Sequence, residues 1–231
     1  MTIGRRTVRD WLVGAPLLAI IWKDILLETR TKDFLVAVLV FALIVIVVFN
    51  FAVDPTPATV GLVAPGALWI SFVFGGVLGL ARSFAVEKER GNMHGLLLAP
   101  VGRDTIYFGK MLASLLFMLV VEAIAFPVFA VMFNIPMSAP GFIPVALLAT
   151  LGIATVGTLF SAMAVNTRAR EVMLPLLFLP VALPAIVAAV ESTGPALFGG
   201  ANDVQWLPFL GVFDAIFLVV CSVVFSFVVE D

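Results

Sequence analysis

Six stretches of the chain are apolar over a length that one soluble core does not require: Phe34–Val53, Val60–Ala81, Met111–Phe133, Phe142–Val165, Val172–Val190 and Val212–Val229. A helix rises about 1.5 Å per residue and the hydrocarbon core of a bilayer is about 30 Å thick, so about 20 such residues cross it. The pattern therefore predicts an all-α membrane protein of six transmembrane helices, built as a single membrane domain over residues 1–231. The connections are Asp54–Thr59, Arg82–Lys110, Asn134–Gly141, Asn166–Glu171 and Glu191–Gly211. Ahead of the first span, residues 1–33 carry a different periodicity. From Leu18 onward, Leu18, Trp22, Ile25, Leu26 and Thr29 share one helical face, and Lys23, Asp24, Arg30 and Thr31 lie on the other. That spacing predicts an amphipathic helix in the membrane interface, with Trp at headgroup level. Arg5 and Arg6 before the apolar stretch Trp11–Trp22 imitate a signal peptide. Gly14, Pro16 and the direct run into Lys23 and Asp24, without a small-residue cleavage site, argue against one.

Charge adds a direction. The segment before the first span holds Arg5, Arg6, Arg9, Lys23, Arg30 and Lys32; the second connection holds Arg82, Lys88, Arg90, Arg103 and Lys110; the fourth holds Arg168 and Arg170. These are all 13 Lys and Arg residues of the chain. Because cation-rich loops stay in the cytoplasm, both termini are expected there.

Composition narrows the class. With 62% hydrophobic and 12% charged residues, the chain is far more apolar than a soluble domain. A soluble enzyme, a disordered segment and a nucleic-acid binder are excluded. One cysteine, Cys221, excludes a disulfide framework and a Cys-clustered metal site.

Catalytic motifs are missing. His94 is the only histidine, so no metal ligand set forms around it. The run GRDTIYFGKM from Gly102 to Met111 imitates a phosphate-binding loop. However, Asp104 stands where the first Gly belongs and Met111 replaces the Ser/Thr that would hold magnesium. No cofactor is bound by motif, and the chain is not expected to be an enzyme. Intramembrane polar groups are then the candidates. Glu122, midway in the third span, is read as protonated, paired or facing the bundle interior. The readings open to it are a polar point on a translocation path or a lever, a proton relay of a secondary transporter, or a protonated carboxyl bonded to a neighbouring helix. Asp214 is less informative, lying near the outer end of the last span within reach of the headgroups. Pro127 in the third span and Pro175, Pro180 and Pro184 in the fifth each remove a backbone donor and mark hinge candidates. Gly75 and Gly79 form a GxxxG pair for close helix contact, within the subunit or across a dimer.

The second connection is longer than a link requires. It presents Glu87, Lys88, Glu89 and Arg90, then Gly91 and His94, then Leu96, Leu97, Leu98 and Pro100. A charged start, a Gly, a Leu run and a terminating Pro predict a short amphipathic helix at the membrane surface that fits a protein partner. A solvated loop with a membrane-dipping helix is the alternative.

At this loop the sequence resembles the membrane subunits of type-2 ATP-binding-cassette exporters, in which acidic residues, a Gly, a Leu-Leu pair, a Pro, an Arg and a Lys recur between spans two and three. Here they are Glu87, Glu89, Gly91, Leu97, Leu98, Pro100, Arg103 and Lys110. More narrowly, the chain resembles the haem exporter protein B family, the membrane subunit of the cytochrome c maturation transporter. The resemblance rests on WKDILLETR (Trp22–Arg30), EKERGNMHGLLLAP (Glu87–Pro100) and LPLLFLPVALP (Leu174–Pro184). It implies a permease domain in the bacterial cytoplasmic (inner) membrane with an interfacial N-terminal helix and a cytoplasmic coupling helix between spans 2 and 3. The implied partners are an ABC ATPase subunit that holds the ATP, a second copy of the chain, and other haem-handling cytochrome c maturation proteins. Haem is implied as cargo, or as the load of a chaperone released by ATP hydrolysis. The single cytoplasmic His94 favours the second; Met111, Met118, Met132 and Met163 are read as packing residues. The same architecture serving a lipid, a drug or a polysaccharide is the rival, and a secondary transporter using Glu122 ranks below it.

Overall fold

Apolar stretches become helices here because a bilayer leaves backbone N–H and C=O groups no partner but one another. In a computed structural model, residues 16–27, 33–52, 56–89, 101–136, 139–165, 167, 170–199 and 206–228 are described. They form α1 (16–27), then α2 (Asp33–Ala52), α3 (Pro57–Glu89), α4 (Arg103–Met132), α5 (Phe142–Ala164), α6 (Arg170–Phe198) and α7 (Trp206–Val228). Six of these, α2 to α7, are long and apolar enough to cross a membrane. The protein is an all-α, multi-pass membrane protein.

Several helices outrun their apolar stretches. At 33 residues α3 extends about 50 Å at about 1.5 Å per residue, well beyond a hydrocarbon core of about 30 Å. Its last turns carry Arg82 to Glu89, and α4 starts at Arg103 rather than Met111. The 82–110 connection therefore shrinks from both sides, because Ala, Glu, Lys and Arg are good helix formers outside the membrane as well. Hydropathy detects the membrane-embedded part of such a helix and not its stem. Likewise α6 runs through Ser192, Thr193 and Pro195 to Phe198, and α7 starts at Trp206. Ser192 and Thr193 satisfy their hydroxyls on the carbonyls of Ala188 and Ala189, at 2.7 and 2.6 Å.

The core is organised around α5. Within its span 67% of residues are buried, against 17% for α2 and 22% for α7. Its buried face alternates small residues, including Gly152, Ala154, Thr155, Gly157, Thr158 and Ser161, which let α3, α4, α6 and α7 pack on it. Helix α2 packs against α3 and α4. Gly157 shows the closeness: the path of a side chain there is taken by Leu80 of α3 and Phe178 of α6. Pro65, Pro127 and the α6 prolines 175, 180, 184 and 195 all stand inside continuous helices.

Two features fasten the far end of α4. Asn134 adopts φ 53°, a left-handed conformation that Asn tolerates better than most residues. With it, the N–H of Ile135 donates to the Ala130 carbonyl at 2.8 Å and that of Asn134 to Val131 at 3.3 Å, closing the helix in a Schellman turn. From α2, Asn50 Nδ2 donates to the last helical carbonyl, Met132, at 2.7 Å.

Candidate functional site

The stems of α3 and α4 lead into the loop that the sequence singles out. Glu87, Lys88 and Glu89 form the last residues of α3. Arg90, Gly91, His94, Leu96, Leu97, Leu98 and Pro100 lie outside the described residues. The expected coupling helix falls there too. What the structure does define is the foundation beneath it.

That foundation is polar and buried. Lys110, on the second turn of α4, is only 2% exposed; its Nζ lies 2.9 Å from Asp24 Oδ2 of α1, and Lys23 Nζ lies 3.3 Å from Asp24 Oδ1. The same ammonium donates to Ser83 Oγ of α3 at 3.4 Å and stands 5.3 Å from the centre of the Phe84 ring, a cation–π geometry. One side chain thus ties α1, α3 and α4 together. Packing repeats the message: a Cβ on Gly109 of α4 would come 2.9 Å from Ile20 of α1, so only Gly lets the two helices approach this closely. The face of α1 carrying Leu18, Trp22 and Leu26 points outward and is exposed. The polar face, which the sequence left without a partner, meets Lys110. Beside the clamp, Arg103 Nη1 donates to the Ser226 carbonyl of α7 at 3.0 Å and Tyr107 OH to the Thr155 carbonyl of α5 at 3.0 Å. The root of α4 is bonded to four other helices.

Deeper in the bundle Glu122 is 5% exposed, and Thr150 of α5 donates to its Oε1 at 2.6 Å. It faces the interior and accepts a bond from a neighbouring helix. Glu122→Gln keeps an acceptor for Thr150 and is expected to change stability by less than about 1 kcal/mol. Glu122→Ala leaves that hydroxyl unsatisfied and is expected to cost about 1–3 kcal/mol. Thermal unfolding of the two purified variants checks the difference. A larger loss for Gln would mean that the carboxyl acts as more than an acceptor.

Asp214 corrects the sequence reading. It does not reach the headgroups: it is 3% exposed, and neither carboxylate oxygen has a hydrogen-bond partner among the described residues. Gly152 of α5 makes room for it, since a Cβ there would come 2.6 Å from Oδ1. The turns of α7 that precede it, from Trp206, are apolar, and its carboxylate lies against Gly152 of α5.

The remaining candidates are separated in space. Gly75 packs against Val38 of α2, and Gly79 and Gly76 against Phe117 and Met118 of α4. This glycine face is thus used within the subunit. Pro127 lies on α4, five residues beyond Glu122, while Pro175, Pro180 and Pro184 lie on α6. A buried tie that the sequence gave no sign of joins α3 to α6: Trp69 Nε1 donates to Thr193 Oγ1 at 2.8 Å, both residues fully buried. Among the described residues no group of three or more His, Cys, Asp or Glu side chains is placed to hold a metal ion.

The family described as CcmB protein matches residues 15–230, from the start of α1 to beyond the end of α7. The chain belongs to that family. Heme exporter protein B of Paracoccus denitrificans (strain Pd 1222) is 31% identical over 193 residues, covering 83% of this chain and 88% of that protein. The Rhodobacter capsulatus protein of the same name is 29% identical over 195 residues, covering 84% and 89%. That of Escherichia coli (strain K12) is 30% identical over 73 residues, about a third of each chain at 32% and 33%. The CcmB match spans the clamp, the loop and all six crossing helices, so the polar foundation described above is built on family sequence.

Proposed function

We propose that this chain is the permease subunit of an ATP-driven transporter for cytochrome c biogenesis in the bacterial inner membrane, with ATP hydrolysed by a separate ABC ATPase subunit. The observation that carries the reading is the family match across residues 15–230, with relatives named heme exporter protein B. The cationic end of the bundle faces the cytoplasm, where Lys and Arg are retained. The segment from Glu87 to Pro100 docks into the ATPase, with Glu87, Glu89 and Arg90 in polar contacts and Leu96 to Leu98 in a groove. Two copies of each subunit assemble, with further haem-handling proteins alongside.

Force enters at the loop and leaves through the two helices that flank it. Lys110 couples α4 to α3 and α1, so the three move as one lever against the α5 core. The work delivered is haem export or the release of a haem-loaded chaperone. A single histidine and no paired His, Cys or Met set in the sequence favour release. Leu97→Lys is expected to weaken capture of the ATPase by roughly 30-fold, the ratio for the loss of about 2 kcal/mol at an interface anchor, and Glu89→Ala to lower ATPase stimulation. Pull-down and ATP turnover of the co-expressed pair measure both; unchanged values in the two assays would sink the docking role of this loop.

A further inference from the structure

A cavity of about 340 Å³ opens at the cationic end of the bundle, between α3, α5 and α6. Its walls are Val77, Leu78, Ala81, Ala85, Ala164, Val165, Leu174 and Pro175, with Arg82 and Ser161 as its polar members. The volume lies in the small-ligand range of roughly 300–1,000 Å³. Depth follows from the chain: Val60 to Ala81 is a run without a charged residue, about 33 Å long at about 1.5 Å per residue, so Arg82 stands where hydrocarbon gives way to headgroups. Ser161 sits one turn from the end of α5, and Pro175 begins the second turn of α6. The cavity is therefore an apolar slot at acyl-chain depth with a guanidinium at phosphate depth.

Inside it, Ser161 is 2% exposed and its Oγ has no hydrogen-bond partner among the described residues. A buried hydroxyl left this way is uncommon and is open to a polar group of a ligand.

We infer that this cavity holds an anionic phospholipid, with the phosphate on the Arg82 guanidinium, the glycerol or ester oxygens at Ser161, and one acyl chain along Leu78, Ala81 and Leu174. Guanidinium groups bind phosphate oxygens as a fork, and basic pockets between membrane helices on the cytoplasmic side are suited to anionic headgroups. Haem, the other amphiphile with anionic groups at hand, fits worse. Among the described lining residues none is a His, Met, Cys or Tyr that could ligate the iron. The inference is independent of the cargo and of the ATPase.

The test is native mass spectrometry of the intact protein, together with any subunits that co-purify, titrated with phosphatidylglycerol and with phosphatidylcholine of the same acyl chains. Phosphatidylglycerol is expected to bind about five-fold more tightly, the ratio equivalent to about 1 kcal/mol for one surface cation. Arg82→Gln is expected to abolish that preference and Arg82→Lys to retain it. Leu78→Trp, at a half-exposed position on the mouth, is expected to lower binding of both lipids by filling the slot. Equal binding of the two lipids by the unaltered protein, or a preference that survives Arg82→Gln, overturns the inference. So does displacement of the lipid by haem, or by millimolar inorganic phosphate alone.

Discussion

Asp24→Ala is expected to destabilise the protein by about 3–5 kcal/mol, the loss found when one partner of a buried ion pair is removed and the other charge stays inside. Lys110 is 2% exposed, so its ammonium cannot turn to water when the carboxylate is gone. Ser83 at 3.4 Å and the Phe84 ring at 5.3 Å hold it more weakly than the carboxylate at 2.9 Å. The double variant Asp24→Asn with Lys110→Met removes both charges and is expected to be more stable than Asp24→Ala, because a buried pair replaced by neutral groups of similar size is often nearly neutral. Thermal unfolding in a mild detergent, with the two single variants and the double variant compared, checks this. A double variant no better than the worse single one would mean that Asp24 and Lys110 do not act as a pair.

This clamp also marks where sequence reasoning stopped. The six spans were legible because a bilayer demands about 20 apolar residues per crossing, and Phe34–Val53 or Phe142–Val165 satisfy that alone. Lys110 was not legible as a buried residue. Hydropathy treats a Lys at the edge of an apolar run as the start of a loop, and only the folded chain shows that Asp24, 86 residues earlier, arrives to neutralise it. Asp214 misled in the opposite sense, since distance along α7 says nothing about which neighbour shields a side chain. Glu122 is the intermediate case. Its position in mid-membrane called for an inward partner, yet nothing in the sequence named Thr150. The glycines were half legible: GxxxG announced close contact, and the fold decided that α2 and α4 supply it.

Trp69→Ala is the second substitution with a large expected effect, about 3–5 kcal/mol for emptying a fully buried aromatic site. The indole fills the contact between α3 and α6, meets Phe72 edge-on at a centroid distance of 5.8 Å, and donates to Thr193 at 2.8 Å. Removing it opens a cavity and deletes one hydrogen bond. Trp69→Phe keeps most of the volume and loses the donor, so its expected cost falls to about 1–2 kcal/mol. Thr193 retains its back-bond to Ala189 at 2.6 Å, which limits the penalty of the lost partner. Chemical or thermal unfolding of the pair separates packing from hydrogen bonding; equal losses would show that the bond, and not the volume, carries the site. Because Thr193 lies on the extension of α6 beyond Val190, this contact also explains why that helix continues where hydropathy ends.

On the function proposed above, both ties act through rigidity. A permease driven from one end needs the driven helices to move as a body, and the α1–α3–α4 clamp and the α3–α6 tie provide fixed joints on either side of α3. Uncoupling should then follow from loosening them even when the ATPase still docks.

The most direct measurement of the proposal is the ATP turnover of the ABC ATPase subunit it implies, assayed alone and after co-reconstitution with the chain in lipid vesicles. The account predicts that the two co-purify and that turnover changes on assembly, with the change lost in Leu97→Lys. An ATPase that neither co-purifies with the chain nor alters its turnover in its presence would contradict it.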